Sequence, residues 1–125
     1  MRIWTLDEAT AALPEVRVLV HRLRELVRTA RQHGARARGN GAPSGNGHAS
    51  DRDRAPAELR AVIEDLTGRG IVVRDPERGL IDFPAQSPTG RDYLLCWLDG
   101  EDAIDWWHWP DAGFAGRTPL SEPPD

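Results

Sequence analysis

The chain has 125 residues, 39% of them hydrophobic and 29% charged, which suits one domain over 1–125 rather than two. A single cysteine excludes an internal disulfide, and no run reaches the roughly 18 apolar residues of a membrane span. The start, where acids follow Leu6, does not read as a signal peptide, so a cytoplasmic protein with no membrane partner is expected. The net charge of −4 conceals a basic first half and an acidic second half. Because the arginines of the first half are interleaved with acids, no nucleic-acid partner is expected.

Thr5 and Glu8 have the spacing of a capping box, in which each side chain satisfies the other residue's amide, so a helix region is predicted over 5–32. Pro14 either kinks this helix or opens a second, longer one. Val16, Leu19, Leu23, Leu26 and Ala30 recur at spacings of three and four and draw one apolar stripe. Residues 33–55 lack any large apolar side chain and read as a disordered linker. A second helix follows over 56–69, with Leu59, Val62, Ile63 and Leu66 on one face and a glycine cap at Gly68 or Gly70.

The stretch 71–109 reads as four antiparallel strands: Ile71 to Arg74, Leu80 to Phe83, Tyr93 to Leu98, and Glu101 to Trp107. Asp99 and Gly100 form a two-residue hairpin signal between the last two. The tail is 110–125. The expected fold class is α+β, an antiparallel helical hairpin packed on a four-stranded antiparallel β-meander.

If Asp99 and Gly100 make a two-residue turn, Leu98 faces Glu101, Tyr93 faces Trp106 and Arg91 faces His108. Alternation then sorts Tyr93, Leu95, Ile104 and Trp106 onto one face, and Leu94, Cys96, Ala103, Asp105 and Trp107 onto the other. Helices can cover only one of these apolar faces, so the second is expected under the tail or against another subunit. In this register Cys96 and His108 stand on the order of 17 Å apart at about 3.4 Å per residue, which excludes a Cys/His nucleophile pair.

Two constellations remain. His108 ends a strand, and Asp111, past the turn at Pro110, can fold back beside its imidazole as an acid/base or metal-ligand pair. Arg91 and Arg117 offer guanidinium groups for an anion, and Trp106 and Trp107 can stack a ring. The competing reading is a histidine that Asp111 orients while both close the core. In the second constellation, pairing Phe83 with Arg91 sets Asp82 opposite Asp92 with Asp105 a row away. Either Arg117 or a divalent metal then answers the clustered carboxylates.

The segments Trp4 to Ala9, Leu13 to Val16, Arg78 to Pro84, Cys96 with Trp97, Gly100 with Glu101, and Trp107 to Arg117 together resemble the bacterial domain-of-unknown-function family numbered 2203. The resemblance spans nearly the whole chain. It implies no assigned activity and supplies no catalytic residues. The Gly-rich connector departs from the family pattern, which sets the tip of the helical hairpin outside any shared site. Two functions are therefore expected to compete. One is a domain that binds a small anionic ligand or a divalent metal, with hydrolysis within its chemistry and His108 and Asp111 at its centre. The other is a non-catalytic module that self-associates as a homodimer.

Overall fold

The computed structural model describes the backbone of residues 2–39 and 49–125 and the side chains of 2–32 and 56–125. Two helices, α1 (Leu6–Gly39) and α2 (Ala49–Gly68), precede a five-stranded antiparallel sheet. Its strands are β1 (Val72–Asp75), β2 (Leu80–Gln86), β3 (Asp92–Leu98), β4 (Trp106–His108) and β5 (Thr118–Pro119), in sequence order across the sheet. A short 3-10 turn, Phe114–Gly116, separates the last two.

The capping box forms: the Glu8 amide donates to Thr5 Oγ1 at 3.1 Å, and the Thr5 amide to Glu8 Oε1 at 2.9 Å. Those hydrogen bonds hold the Glu8 carboxyl below its ordinary range. Pro14 neither breaks α1 nor starts it. It lies exposed inside one helix, and the hydrogen bond it forgoes is the one to the carbonyl of Thr10, also an exposed residue. α1 continues to Gly39 because Ala and Arg, both good helix formers, fill 35–38, and α2 already begins at Ala49. The centre of the expected linker, 40–48, lies outside the described residues.

The buried stripe of α1 is Ala9, Leu13, Val16, Val20, Leu23 and Leu26; Leu19 is half-buried and Ala30 exposed. It packs with Leu66 of α2 onto Ile81, Phe83, Ala85, Leu95 and Trp97, the odd-numbered side chains of β2 and β3. Arg22 of α1 pairs with Glu58 of α2, and Glu15 of α1 with Arg69 just past the end of α2, so the earlier residue on α1 meets the later one on the α2 side.

The sheet differs from the expectation in strand number, strand limits and register. β2 does not stop at Phe83 but runs through Pro84 to Gln86. A strand residue points its N–H and C=O to the same side. The Pro84 carbonyl accepts from the Trp4 amide at 2.6 Å, outside the β3 ladder, so the missing N–H falls on a side where no strand pairs. β2 and β3 pair with Phe83 opposite Leu95 and Asp82 opposite Cys96, which corrects the expected pairing of Asp82 with Asp92. Asp92 stands opposite Gln86 and accepts its side-chain amide.

The Asp99–Gly100 turn exists, with the Glu101 amide donating to Leu98 O at 3.0 Å, yet it does not lead into a ladder. Residues 101–105 loop away instead, burying Ile104 against the helix-side core, and β4 starts only at Trp106. Leu94 then faces His108, Leu95 faces Trp107 and Cys96 faces Trp106, a shift of three residues from the expected register. An odd shift exchanges the two faces of the strand. Trp107 turns to the helix side, edge-on to Tyr93, while Trp106 and His108 join Cys96 on the other face. The fifth strand was hidden in the predicted tail: Thr118 and Pro119 pair with Trp107 and Trp106, too short a segment to show alternation.

Gly79, after the β1–β2 turn, joins both tight turns to α1. Its φ is +74°, and a Cβ there would lie 2.7 Å from Asp99 Cβ and 2.8 Å from Arg24 Cδ. Its carbonyl accepts the Asp99 amide at 2.9 Å, and Arg24 holds the Asp99 carboxylate at 2.9 Å. Gly79→Ala is expected to destabilise the fold by about 2–4 kcal/mol, from the left-handed backbone and the overpacking together, read as a lowered urea midpoint with unchanged slope.

Candidate metal centre

The face of the sheet turned away from the helices carries three buried polar side chains from three adjacent strands: Asp82 on β2, Cys96 on β3 and His108 on β4. Their candidate ligand atoms, one carboxylate oxygen, Sγ and an imidazole nitrogen, all lie within 4.8 Å of one another. Asp82 and Cys96 are direct cross-strand partners, and His108 is the diagonal neighbour of Cys96 through its pairing with Leu94. The exclusion of a Cys96–His108 contact is therefore overturned, because it rested on the two-residue hairpin register.

His108 is held from both sides. Its Nδ1 lies 2.7 Å from the carbonyl oxygen of Trp109, and its Nε2 lies 3.1 Å from each Asp82 oxygen. A carbonyl only accepts, so Nδ1 carries a proton and donates it. Nε2 then faces the two oxygens of the Asp82 carboxyl group. Either a second proton sits between Nε2 and Asp82, or a cation does. The same ring orientation, with Nδ1–H fixed by a backbone carbonyl and Nε2 directed at the other ligands, is the one a metal-bound histidine requires.

Arg74 completes the cluster, its Nε donating to Asp82 Oδ2 at 2.7 Å. Pairing of β1 with β2 skips from Val73 opposite Ile81 to Asp75 opposite Leu80, so Arg74 is the extra residue of a bulge. Its side chain is 45% exposed while that of Asp82 is fully buried, so the arginine bridges the cluster to solvent. Opposite, Arg117 Nη2 donates to Glu101 Oε1 at 2.6 Å and to Cys96 O at 3.4 Å. Its guanidinium lies 5.0 Å from the Trp106 ring and 4.8 Å from the Phe114 ring. The chain's own tail thus folds toward this face, as one of the two expected covers required.

Burial first, and then the Asp82 charge, push the Cys96 thiol up to about 12. A thiol in that state is no nucleophile near neutral pH. Nor can His108 relay a proton between sulfur and an acid, since a carbonyl occupies one ring nitrogen and the carboxylate the other. The three residues therefore lack the wiring of a nucleophilic triad despite having its residue types.

The remaining candidates from the sequence are dispersed. Asp111 and Asp105 are both exposed, and neither belongs to the group of ligand atoms around His108. Arg91 is exposed and stacks on Trp109 with its guanidinium carbon 3.7 Å from the ring centroid, rather than facing His108. Trp106 and Trp107 sit on opposite faces, and Trp107 donates to Glu122 O at 2.8 Å, so the pair cannot clasp one ring between them. Asp82 and His108 are together, joined by Cys96 and Arg74, which the sequence reading left aside. The signal that could have found Cys96 was its place in the strand row opposite Asp82, readable only with the correct register. An apolar cavity of about 560 Å³ between the end of α2 and β1, lined by Ile63, Thr67, Ile71, Val72 and Val73 among others, lies apart from all of these.

Fold and site together describe an α+β domain whose antiparallel sheet buries an Asp–Cys–His cluster on the face away from its helices. The chain belongs to the family of uncharacterized conserved proteins DUF2203, whose model matches residues 2–120. No curated protein and no solved structure matches the chain. No described helix is long and apolar enough to cross a membrane.

Because the folded-state pKa of Cys96 is raised from about 9 to about 12, its stabilising effect is complete below pH 9 and lost as pH rises through 12. Metal-free protein is expected to lose stability across that window, by up to about 4 kcal/mol at 1.36 kcal/mol per unit. Cys96→Ala should flatten this part of a urea-midpoint profile against pH. Tyr93, also pushed up by burial, leaves a smaller slope of the same sign.

Proposed function

We propose that this protein is a metal-binding domain that holds one zinc-class divalent ion through Asp82, Cys96 and His108. The observation that carries the reading is the mutual approach of a carboxylate, a sulfur and a correctly oriented imidazole nitrogen within 4.8 Å, all of them buried. With metal bonds of about 2.0–2.3 Å, tetrahedral ligand atoms stand roughly 3.3–3.6 Å apart, so a small contraction of the cluster suffices. The donor set of one sulfur, one nitrogen and one oxygen suits a borderline-soft ion and disfavours magnesium or calcium.

Charge supports the same reading. A divalent ion beside a carboxylate and a thiolate leaves the buried group neutral. It also removes the conflict of Nε2 with the carboxylate. Trp109 O and Arg74 then act as outer partners that orient His108 and Asp82. Three protein ligands leave one tetrahedral position for water or an added ligand, which is how a hydrolytic or anion-binding role would enter. Self-association loses its original motive, since Leu94, Cys96 and His108 are already buried within one chain.

Protein purified without chelator is expected to carry close to one zinc-class ion per chain by elemental analysis. Cys96→Ser and His108→Ala should each lower metal affinity at least 100-fold. Loading the stripped protein at pH 7 should release about two protons, that of Cys96 and the one shared by His108 Nε2 and Asp82, measured by calorimetry in two buffers of different ionisation enthalpy. Wild-type protein that neither retains metal nor takes it up when titrated would remove this function.

A further inference from the structure

Among the described residues, Arg117 Nε is the buried side-chain nitrogen that has no hydrogen-bond partner. A guanidinium nitrogen left unpaired in the interior forfeits its hydration without a replacement, so it asks for an acceptor. Nη2 is anchored on Glu101 Oε1 and on the backbone oxygen of Cys96, and the plane is packed by Trp106 and Phe114.

The guanidinium is flat and rigid, and its Nε–H and one Nη2–H form a parallel fork along one edge. Nη2 already reaches the carbonyl of Cys96. The partnerless Nε–H belongs to the same small group, which borders Cys96. The Arg117 charge is also close enough to act on the thiol, opposing the effects of burial and Asp82. A neutral thiol is a poor acceptor, whereas a metal-bound thiolate is a good one.

We infer that Arg117 is the positioning residue of the metal centre, its Nε–H donating to Cys96 Sγ once that sulfur is bonded to the metal. This rests on the metal-binding reading above. On loading, the Sγ–H proton and the proton shared by His108 Nε2 and Asp82 would leave to the buffer, the Sγ–metal bond would form, and the Nε–H···S contact would close. The bond draws electron density from the sulfur and holds the Cys96 backbone through the same arginine. Glu101 has a separate part: it anchors the fork but gives nothing to the metal.

Two measurements on the full chain test this. In wild-type protein labelled with nitrogen-15 arginine and loaded with cadmium-113, a scalar coupling between the Arg117 Nε proton and cadmium is expected through the sulfur. In cobalt-loaded protein, Arg117→Lys keeps a positive charge for Glu101 but lacks Nε. Its sulfur-to-cobalt charge-transfer band should move to lower energy, and its metal affinity should fall about 10- to 100-fold, the usual effect of losing an outer partner. Glu101→Gln, which keeps Nε, should leave the band in place.

Absence of the cadmium coupling overturns the role of Arg117, as does an Arg117→Lys band and affinity equal to wild type, while in either case the metal-binding reading stands. Wild-type protein that binds neither cobalt nor cadmium overturns both.

Discussion

The carboxylate of Glu101 accepts the Leu98 amide at 2.7 Å and the Arg117 guanidinium at 2.6 Å, and through these two bonds it decides where β4 can begin. In a two-residue hairpin the Leu98 amide would pair with the backbone of Glu101. Here the side chain takes that place. A charged acceptor makes the stronger hydrogen bond, so the exchange is favourable where the loop can also be anchored. Trp97 Nε1 donates to Glu101 O and Arg17 to Asp102 O, which supplies the anchors. The ladder stops, Ile104 enters the core, and β4 resumes in a register displaced by an odd number of residues. His108 thereby arrives beside Asp82 and Cys96.

The cluster so assembled sits where the physical chemistry is least forgiving. Cys96 and Asp82 are fully buried and His108 nearly so, on a sheet face without a helical cover. A buried ionised carboxylate needs partners, and Asp82 has two, one from the bulge at Arg74 and one from the end of β4. The imidazole meets acceptors on both nitrogens, so its Nε2 needs either a second proton, which completes a buried ion pair, or a cation.

Arginines flank the cluster on both sides, each with a planar fork that can hold two acceptors at once. Arg74 leaves most of its donors to solvent. Arg117 is enclosed by Trp106, Phe114 and the turn that leads into β5. The dense aromatic stretch near the end of the chain is thus divided in use: Trp107 and Trp109 build the helix-side packing with Tyr93, while Trp106 screens the arginine that borders Cys96. A motif that looks like one aromatic cluster in the sequence is two clusters back to back.

Local chemistry was readable in the chain. The Thr5–Glu8 capping box, the apolar stripe through Val16, Leu23 and Leu26, the strand at Leu80 and the turn at Asp99–Gly100 all depend on residues near one another in sequence, where spacing dictates contact. Family membership was readable too, because motifs such as Trp107 to Arg117 are contiguous. Tertiary structure alone decided the register of β4, the passage of β2 through Pro84, the fifth strand and the bulge that delivers Arg74. Each depends on a partner far along the chain: Glu101 on Arg117, Pro84 on Trp4, Thr118 on Trp107. His108 and Asp82 could be named as candidates from residue type, but their meeting with Cys96 could not, since one misplaced turn moves the imidazole by three residues and to the other side of the sheet.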